Sequence, residues 1–150
     1  MGDPRNSDSV IDFGDRFECL GRTLGQREAA HVAALTDARA CAERLRAAVA
    51  AALADFDRAA RDAGAEHLEI GLSEIRVDEK HVRAVEFEIF RGRHRAVVVA
   101  KSRGEVTLVG PFRQGKTEGP CRSLPFDAQE EIRDALGDFL ECFFEEAATP

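Results

Sequence analysis

The sequence predicts a two-layer α+β protein, in which a long N-terminal helix and a C-terminal helix pack on a four-stranded antiparallel meander. Three changes of pattern along the chain lead to this prediction. Apolar residues recur every three or four positions through residues 35–59, and the period becomes two from Leu68 to Val109. A second helical pattern then occupies residues 127–146. A chain of 150 residues is long enough to bury a core as one domain.

The N-terminal helix is predicted from composition and periodicity together. No proline lies between Pro4 and Pro111, and the first half of that interval is rich in alanine, the strongest helix former. The helix is predicted to begin at Asp15 or at Thr23 and to end before Gly64. Its apolar seam consists of Leu35, Ala38, Ala42, Leu45, Val49, Ala52, Phe56 and Ala59. Such an alanine-rich seam favours packing on the protein's own sheet, and the alternative is pairing with the same helix of a second chain.

Four strands are predicted after this helix, because apolar and polar residues alternate from Leu68 onward. The alternation slips at Ser73–Glu74, which predicts a bulge in the first strand. The connections are too short to hold crossover helices, so the strands are expected to pair as an antiparallel meander. The predicted strands are residues 68–77, 85–89, 96–100 and 106–109.

The last helix is predicted to begin at Asp127, with Glu130 completing a capping box. Its apolar stripe is Ile132, Leu136, Phe139, Leu140 and Phe143. The predicted domain organisation is a flexible tail at residues 1–14, a single α+β domain at 15–146 and a frayed C-terminus at 147–150.

Composition limits the classes of function that need weighing. The hydrophobic fraction of 44% and the charged fraction of 33% are typical of a soluble globular protein. No apolar run approaches the roughly 20 residues that cross a bilayer. The polar residues 1–9 do not resemble a secretory signal, and the four cysteines are widely spaced, so a cytoplasmic protein with reduced thiols is predicted. The histidines have no metal-site spacing, and neither a metal nor another cofactor is predicted.

Residues 110–117 match the phosphate-binding pattern G-x-x-x-x-G-K-T and follow a predicted strand. In a working loop of this kind, a helix opens at the lysine and its N–H groups hold the phosphate. Pro120 follows too closely here, because its ring and missing N–H oppose a helical turn that begins at Lys116. The sequence therefore favours a surface loop over a nucleotide hydrolase. The looser alternative is a small-anion site made by Arg113, Gly115, Lys116, Thr117 and Arg122.

Two further kinds of chemistry are a reactive thiol and nucleic-acid binding. Cys121 is a candidate reactive thiol, since the adjacent Arg122 would lower its pKa, and the alternative is an ordinary loop thiol. Residues 80–122 hold 10 Lys or Arg against 4 Asp or Glu, between two acidic ends. Aromatic residues on basic strands can stack bases. Phe87 is nevertheless predicted to be core, and acidic helices repel a phosphate backbone, so the sequence disfavours nucleic-acid binding.

The favoured function is a non-catalytic binding or assembly module that contacts another protein or a second copy of itself. The predicted contact surface is either the sheet face or the alanine-rich seam. The alternative function is binding of a phosphate or nucleotide ligand by the loop at residues 110–117.

Overall fold

A computed structural model describes residues 11–78, 83–115 and 119–148. Within these ranges the order of elements is one helix, a run of strands and a second helix, which confirms the predicted α+β architecture. The helices are α1 (Gly14–Asp62) and α2 (Gln129–Ala148). The strands are β1 (Gly71–Leu72), β2 (Arg76–Asp78), β3 (Ala84–Arg91), β4 (His94–Lys101), β5 (Glu105–Arg113) and β6 (Cys121–Pro125).

All strand pairs are antiparallel, and their order across the sheet is β1-β3-β4-β5-β6, with β2 also pairing with β3. The predicted meander is therefore confirmed. The predicted first strand is divided into β1 and β2, and the registers on either side leave residues 73–75 facing residues 87–88. This extra residue is the bulge predicted at Ser73–Glu74. At the bulge, the Glu88 N–H donates a hydrogen bond to the Ser73 hydroxyl at 2.8 Å. This side-chain acceptor takes the place of a backbone carbonyl in the strand pairing.

Strand β6 was not predicted from the sequence. It pairs along β5, from Pro125 opposite Glu105 to Cys121 opposite Val109. Leu124 is its one buried residue, so the segment has too little alternation to be recognised as a strand. Pairing with β5 makes a strand of residues that the local pattern assigned to a loop.

The bounds of α1 lie close to the predicted start at Asp15 and the predicted end before Gly64. The helix begins at Gly14, and Thr23, the alternative predicted start, lies inside it. At the other end Gly64 adopts a φ of +97°, and the Ala65 N–H donates to the Ala60 carbonyl at 2.8 Å. This is a Schellman ending with glycine in the left-handed position, at the glycine before which the sequence predicted the helix to end.

Backbone contacts divide the chain into two units, with the boundary inside α1 between Ala33 and Ala34. In the second unit, the inner face of the sheet packs with both helices around one core. The rings of Phe56 on α1 and Phe144 on α2 lie 4.7 Å apart. The alanine-rich seam, apart from the exposed Ala59 at its end, belongs to this core. Its members Ala38, Ala42 and Val49 are inaccessible to solvent, like Phe87, Ile89, Val98, Val106 and Phe143.

Helix α2 begins two residues after the predicted Asp127, and its predicted apolar stripe is buried. Ala147, in the last turn, is also fully buried, and its carbonyl accepts a hydrogen bond from the Arg91 guanidinium. The end of α2 is thus tied to β3. Among the described residues, neither helix combines the length and apolarity that crossing a membrane requires.

Candidate functional site: an exposed apolar stripe on the N-terminal helix

The beginning of α1 carries large apolar side chains that are open to solvent. Phe13, Phe17, Leu20 and Leu24 are each between 47% and 51% exposed. Phe13 directly precedes the helix, and its carbonyl accepts a hydrogen bond from the Phe17 N–H at 2.9 Å. The four residues are separated by four, three and four positions, which places them along one face of the helix. We call these four residues the apolar stripe. Large apolar side chains aligned on a helix are normally covered, so the stripe is the strongest candidate for a contact surface.

Two rings of the apolar stripe contact each other, and charged side chains lie around the stripe. The rings of Phe13 and Phe17 meet edge to face, with centroids 5.3 Å apart. The Arg16 guanidinium lies 5.9 Å from the centre of the Phe17 ring. Arg22 and Glu18 form an ion pair at 3.1 Å, with both side chains 66% exposed. This part of α1 is therefore amphipathic, with a solvated charged face opposite the stripe.

Gly21, on one flank of the apolar stripe, and Gly25, on the same side of α1 as Glu18, make no close packing contact with the described residues. A Cβ atom built at Gly21 or Gly25 would meet no atom within 4 Å, and neither residue has a positive φ. Glycine inside a helix costs about 1 kcal/mol relative to alanine. Small residues at such positions allow a second backbone to approach closely.

This surface was not among those predicted from the sequence, because the predicted apolar seam began only at Leu35. The same spacing of three and four is present at Phe13 to Leu24, and this signal was available. Polar residues at 27, 28 and 31 separate the two stretches and conceal their continuity.

The structure does not bring together the two arginines of the predicted anion site. Arg113 is the last residue of β5, whereas Arg122 on β6 lies opposite Leu108. Five positions on β5 separate Arg113 from Leu108, or about 16 Å of extended strand. Lys116 and Thr117 lie outside the described residues, so the anion site stays a prediction.

Both glycines of the G-x-x-x-x-G-K-T pattern adopt a positive φ, Gly110 within β5 and Gly115 in the turn that follows it. Gly110 is buried in β5 with a φ of +113°, and a Cβ atom there would lie 3.0 Å from the Arg95 carbonyl oxygen. Gly115 has a φ of +96° in the turn after β5. Residues 121–125 form a strand where a phosphate loop would continue as a helix. Strand and turn geometry is therefore sufficient to account for these glycines.

We expect ATP with Mg²⁺ to leave the melting temperature unchanged, because β6 occupies the place of the helix whose N–H groups would hold phosphate. Differential scanning fluorimetry across a nucleotide panel measures this. A ligand present at a hundred times its Kd would stabilise the fold by about 2.7 kcal/mol, a readily detected shift. Lys116→Ala is the matched variant. A rise of several degrees that this substitution abolishes would contradict the expectation.

Cys121 is exposed at the start of β6, and its thiol lies 3.7 Å from the Gly119 carbonyl oxygen. Together with Cys142 of α2 and Arg122, it lines a cavity of about 270 Å³. Desolvation and the neighbouring Glu146 raise the pKa of Cys142, which keeps that thiol protonated and weakly nucleophilic. The reactive role of Cys121 stays a prediction.

The sheet face opposite the core carries charges that pair with one another. Arg76 donates to Glu86 at 2.7 Å, and this hydrogen bond raises the pKa of Arg76. Arg95 on β4 donates to Glu88 on β3 at 2.8 Å, which is a cross-strand ion pair. These ion pairs occupy cations that a phosphate backbone would need. The sheet face is therefore a weaker contact surface than the apolar stripe.

No family model, curated protein or solved structure matches this chain. Among the described residues, no three His, Cys, Asp or Glu side chains are grouped so that they could hold a metal ion.

Proposed function

We propose that this protein is a non-catalytic assembly module that docks through the apolar stripe of α1 onto a helix of another polypeptide. The observation that carries the proposal is the half-exposure of four large apolar side chains on one helix face. Complete burial of such a side chain is worth about 1.5–3 kcal/mol. Covering four half-exposed ones therefore contributes roughly 3–6 kcal/mol before the costs of association.

The other two surfaces support the proposal less well. The alanine-rich seam is already used inside the protein, where Ala38 and Ala42 are fully buried. The ion pairs of the sheet face need no partner to satisfy them. An apolar helix face with anchors at i, i+4, i+7 and i+11 is the pattern by which one helix docks on another.

A photo-cross-linking amino acid at position 13 tests this proposal in cells. Benzoylphenylalanine in place of Phe13 keeps an aromatic ring within the apolar stripe, so we expect it to give discrete cross-linked products. The measurement is mass spectrometry of those products. The same photo-reactive residue in place of Ala29, an exposed position on another face of α1, is expected to give few or none.

A second substitution links these products to the apolar stripe. Leu20→Asp, added to the position-13 probe, is expected to remove them because it places a charge in the centre of the contact. Ala29→Asp adds the same charge away from the stripe and is expected to leave them unchanged. Equal cross-linking from positions 13 and 29, or none from either, would contradict the proposed function.

A further inference from the structure

The spacing of the apolar stripe is the same from either end: four, three and four residues. We infer that the stripe pairs with the stripe of a second copy of this chain, in antiparallel orientation; this inference rests on the proposed function. In that arrangement Phe13 faces Leu24 of the second copy, and Phe17 faces Leu20. Every layer then joins one phenylalanine to one leucine, so the layers have equal volume. A parallel pair would stack phenylalanine on phenylalanine and leucine on leucine, with unequal layers.

The charges on this part of α1 also favour the antiparallel pair. Residues 12–18 hold three carboxylates, those of Asp12, Asp15 and Glu18, against the single cation of Arg16. Residues 19–25, which lie opposite them in this register, hold one cation, Arg22, and no carboxylate. Antiparallel pairing places this acidic segment of each helix level with the segment of the other that carries Arg22, whereas parallel pairing places the two acidic segments level with each other. Glu18 and Arg22 lie on the face opposite the stripe, so this preference is long-range and weak. The helix dipoles also oppose one another in this orientation.

The proposed pairing of helices explains why position 21 is a glycine. Gly14 and Gly21 are seven residues apart and lie on one flank of the apolar stripe. In the proposed register, Gly21 lies on the same flank as Gly14 of the second copy, about 3 Å away along the axis, so the two backbones can approach without a Cβ between them. A Cβ at Gly21 would meet no atom of the described residues within 4 Å.

The size of the contact sets its expected strength. The stripe spans 12 residues, or about 18 Å of helix. Stable protein interfaces bury about 800 Å² on each partner, and a single short helix pair offers less. We therefore expect a concentration-dependent dimer with a Kd on the order of micromolar.

Sedimentation velocity of the full chain tests self-pairing. Between about 1 and about 300 µM, the wild-type protein is expected to pass from monomer to dimer. Leu20→Asp is expected to raise the Kd at least tenfold, whereas Ala29→Asp is expected to leave it unchanged. Far-ultraviolet circular dichroism and thermal unfolding of both variants should match the wild type, because both positions lie on an exposed part of α1. A wild-type protein that stays monomeric over this range would overturn the inference.

Spin labels at Cys19 and at a new cysteine, Gln26→Cys, distinguish the two orientations, because the residues are seven apart and share a helix face. In the antiparallel pair the two labels at position 19 are offset by about 1.5 Å along the axis, and those at position 26 by about 22 Å. In a parallel pair the distances at the two positions are equal. Cys121 and Cys142, which are also exposed, are changed to serine in both samples. Cys19 is changed to serine in the Gln26→Cys sample so that each chain carries one label, and Cys41 is kept because it is buried.

Double electron–electron resonance on these samples gives the deciding distances. A clearly longer distance at position 26 than at position 19 supports the antiparallel pair, and equal distances overturn it. A monomeric protein whose position-13 probe cross-links to a different polypeptide overturns self-pairing and leaves the proposed function intact. Absence of both dimer and cross-links would overturn both.

Discussion

Replacing Phe87 by alanine is expected to lower the free energy of unfolding by about 3–5 kcal/mol. Phe87 is fully buried in the middle of β3, opposite Val98 on β4, and belongs to the core formed with the helices. The substitution removes most of an aromatic side chain and leaves a cavity that rigid strands cannot fill. Since whole domains are stable by about 5–15 kcal/mol, the loss is a large part of the total. Urea unfolding followed by circular dichroism measures it.

Phe90 on the same strand supplies the matched control. It lies on the opposite face of the sheet and is 37% exposed, with the Arg95 guanidinium 5.4 Å from its ring centre. We expect Phe90→Ala to cost about 1 kcal/mol, since the site is partly open to water and leaves no closed cavity. Equal losses from the two substitutions would be inconsistent with the inner and outer faces assigned to β3.

Replacing Gly110 by alanine is expected to cost about 3 kcal/mol or more. Two effects act together at this residue. Its φ of +113° is strained for any residue with a Cβ, and that Cβ would lie 3.0 Å from the Arg95 carbonyl oxygen and 3.2 Å from the Ala96 Cα. Because both neighbours are backbone atoms of the adjoining strand, relief requires the strands to separate. Chemical unfolding reports the change in stability.

Gly104→Ala separates the two effects. Gly104 also has a positive φ, of +97°, but a Cβ there would meet nothing within 4 Å. This control therefore carries only the conformational strain, which we expect to cost about 1 kcal/mol. Identical losses at the two glycines would show that the close approach of β5 to β4 is not a constraint. A larger loss of stability at Gly110 would mean that strand packing, and not phosphate binding, accounts for the first glycine of the G-x-x-x-x-G-K-T pattern.

The elements that the sequence predicted well are those whose signals are local. Alternation along β3 and β4 identifies both the strands and their buried faces, because a strand's side chains point to opposite sides in turn. Gly64 identifies the end of α1, because a left-handed residue there completes the last carbonyl bonds. The short connections after β3 and β4 leave only antiparallel pairing. None of these inferences needs a residue distant in the sequence.

The candidate site was harder to predict because periodicity does not reveal burial. Leu20 and Ala42 follow the same three-and-four spacing, yet Leu20 is 48% exposed and Ala42 is fully buried. Their local patterns are alike, and the difference is what lies against each. The same is true of the phosphate-like pattern, whose letters alone cannot separate a helix opening from a strand and turn.

The sequence by itself determined the α+β class, the helical periodicity of α1 and the antiparallel meander, because these depend on residue spacing and turn chemistry within short stretches. Only the tertiary structure decided that residues 121–125 are a strand, that the alanine-rich seam is core and that the stripe from Phe13 to Leu24 is exposed. Strand pairing and burial are relations between segments far apart in the chain. The residue pattern of one segment does not identify the distant segment that packs against it.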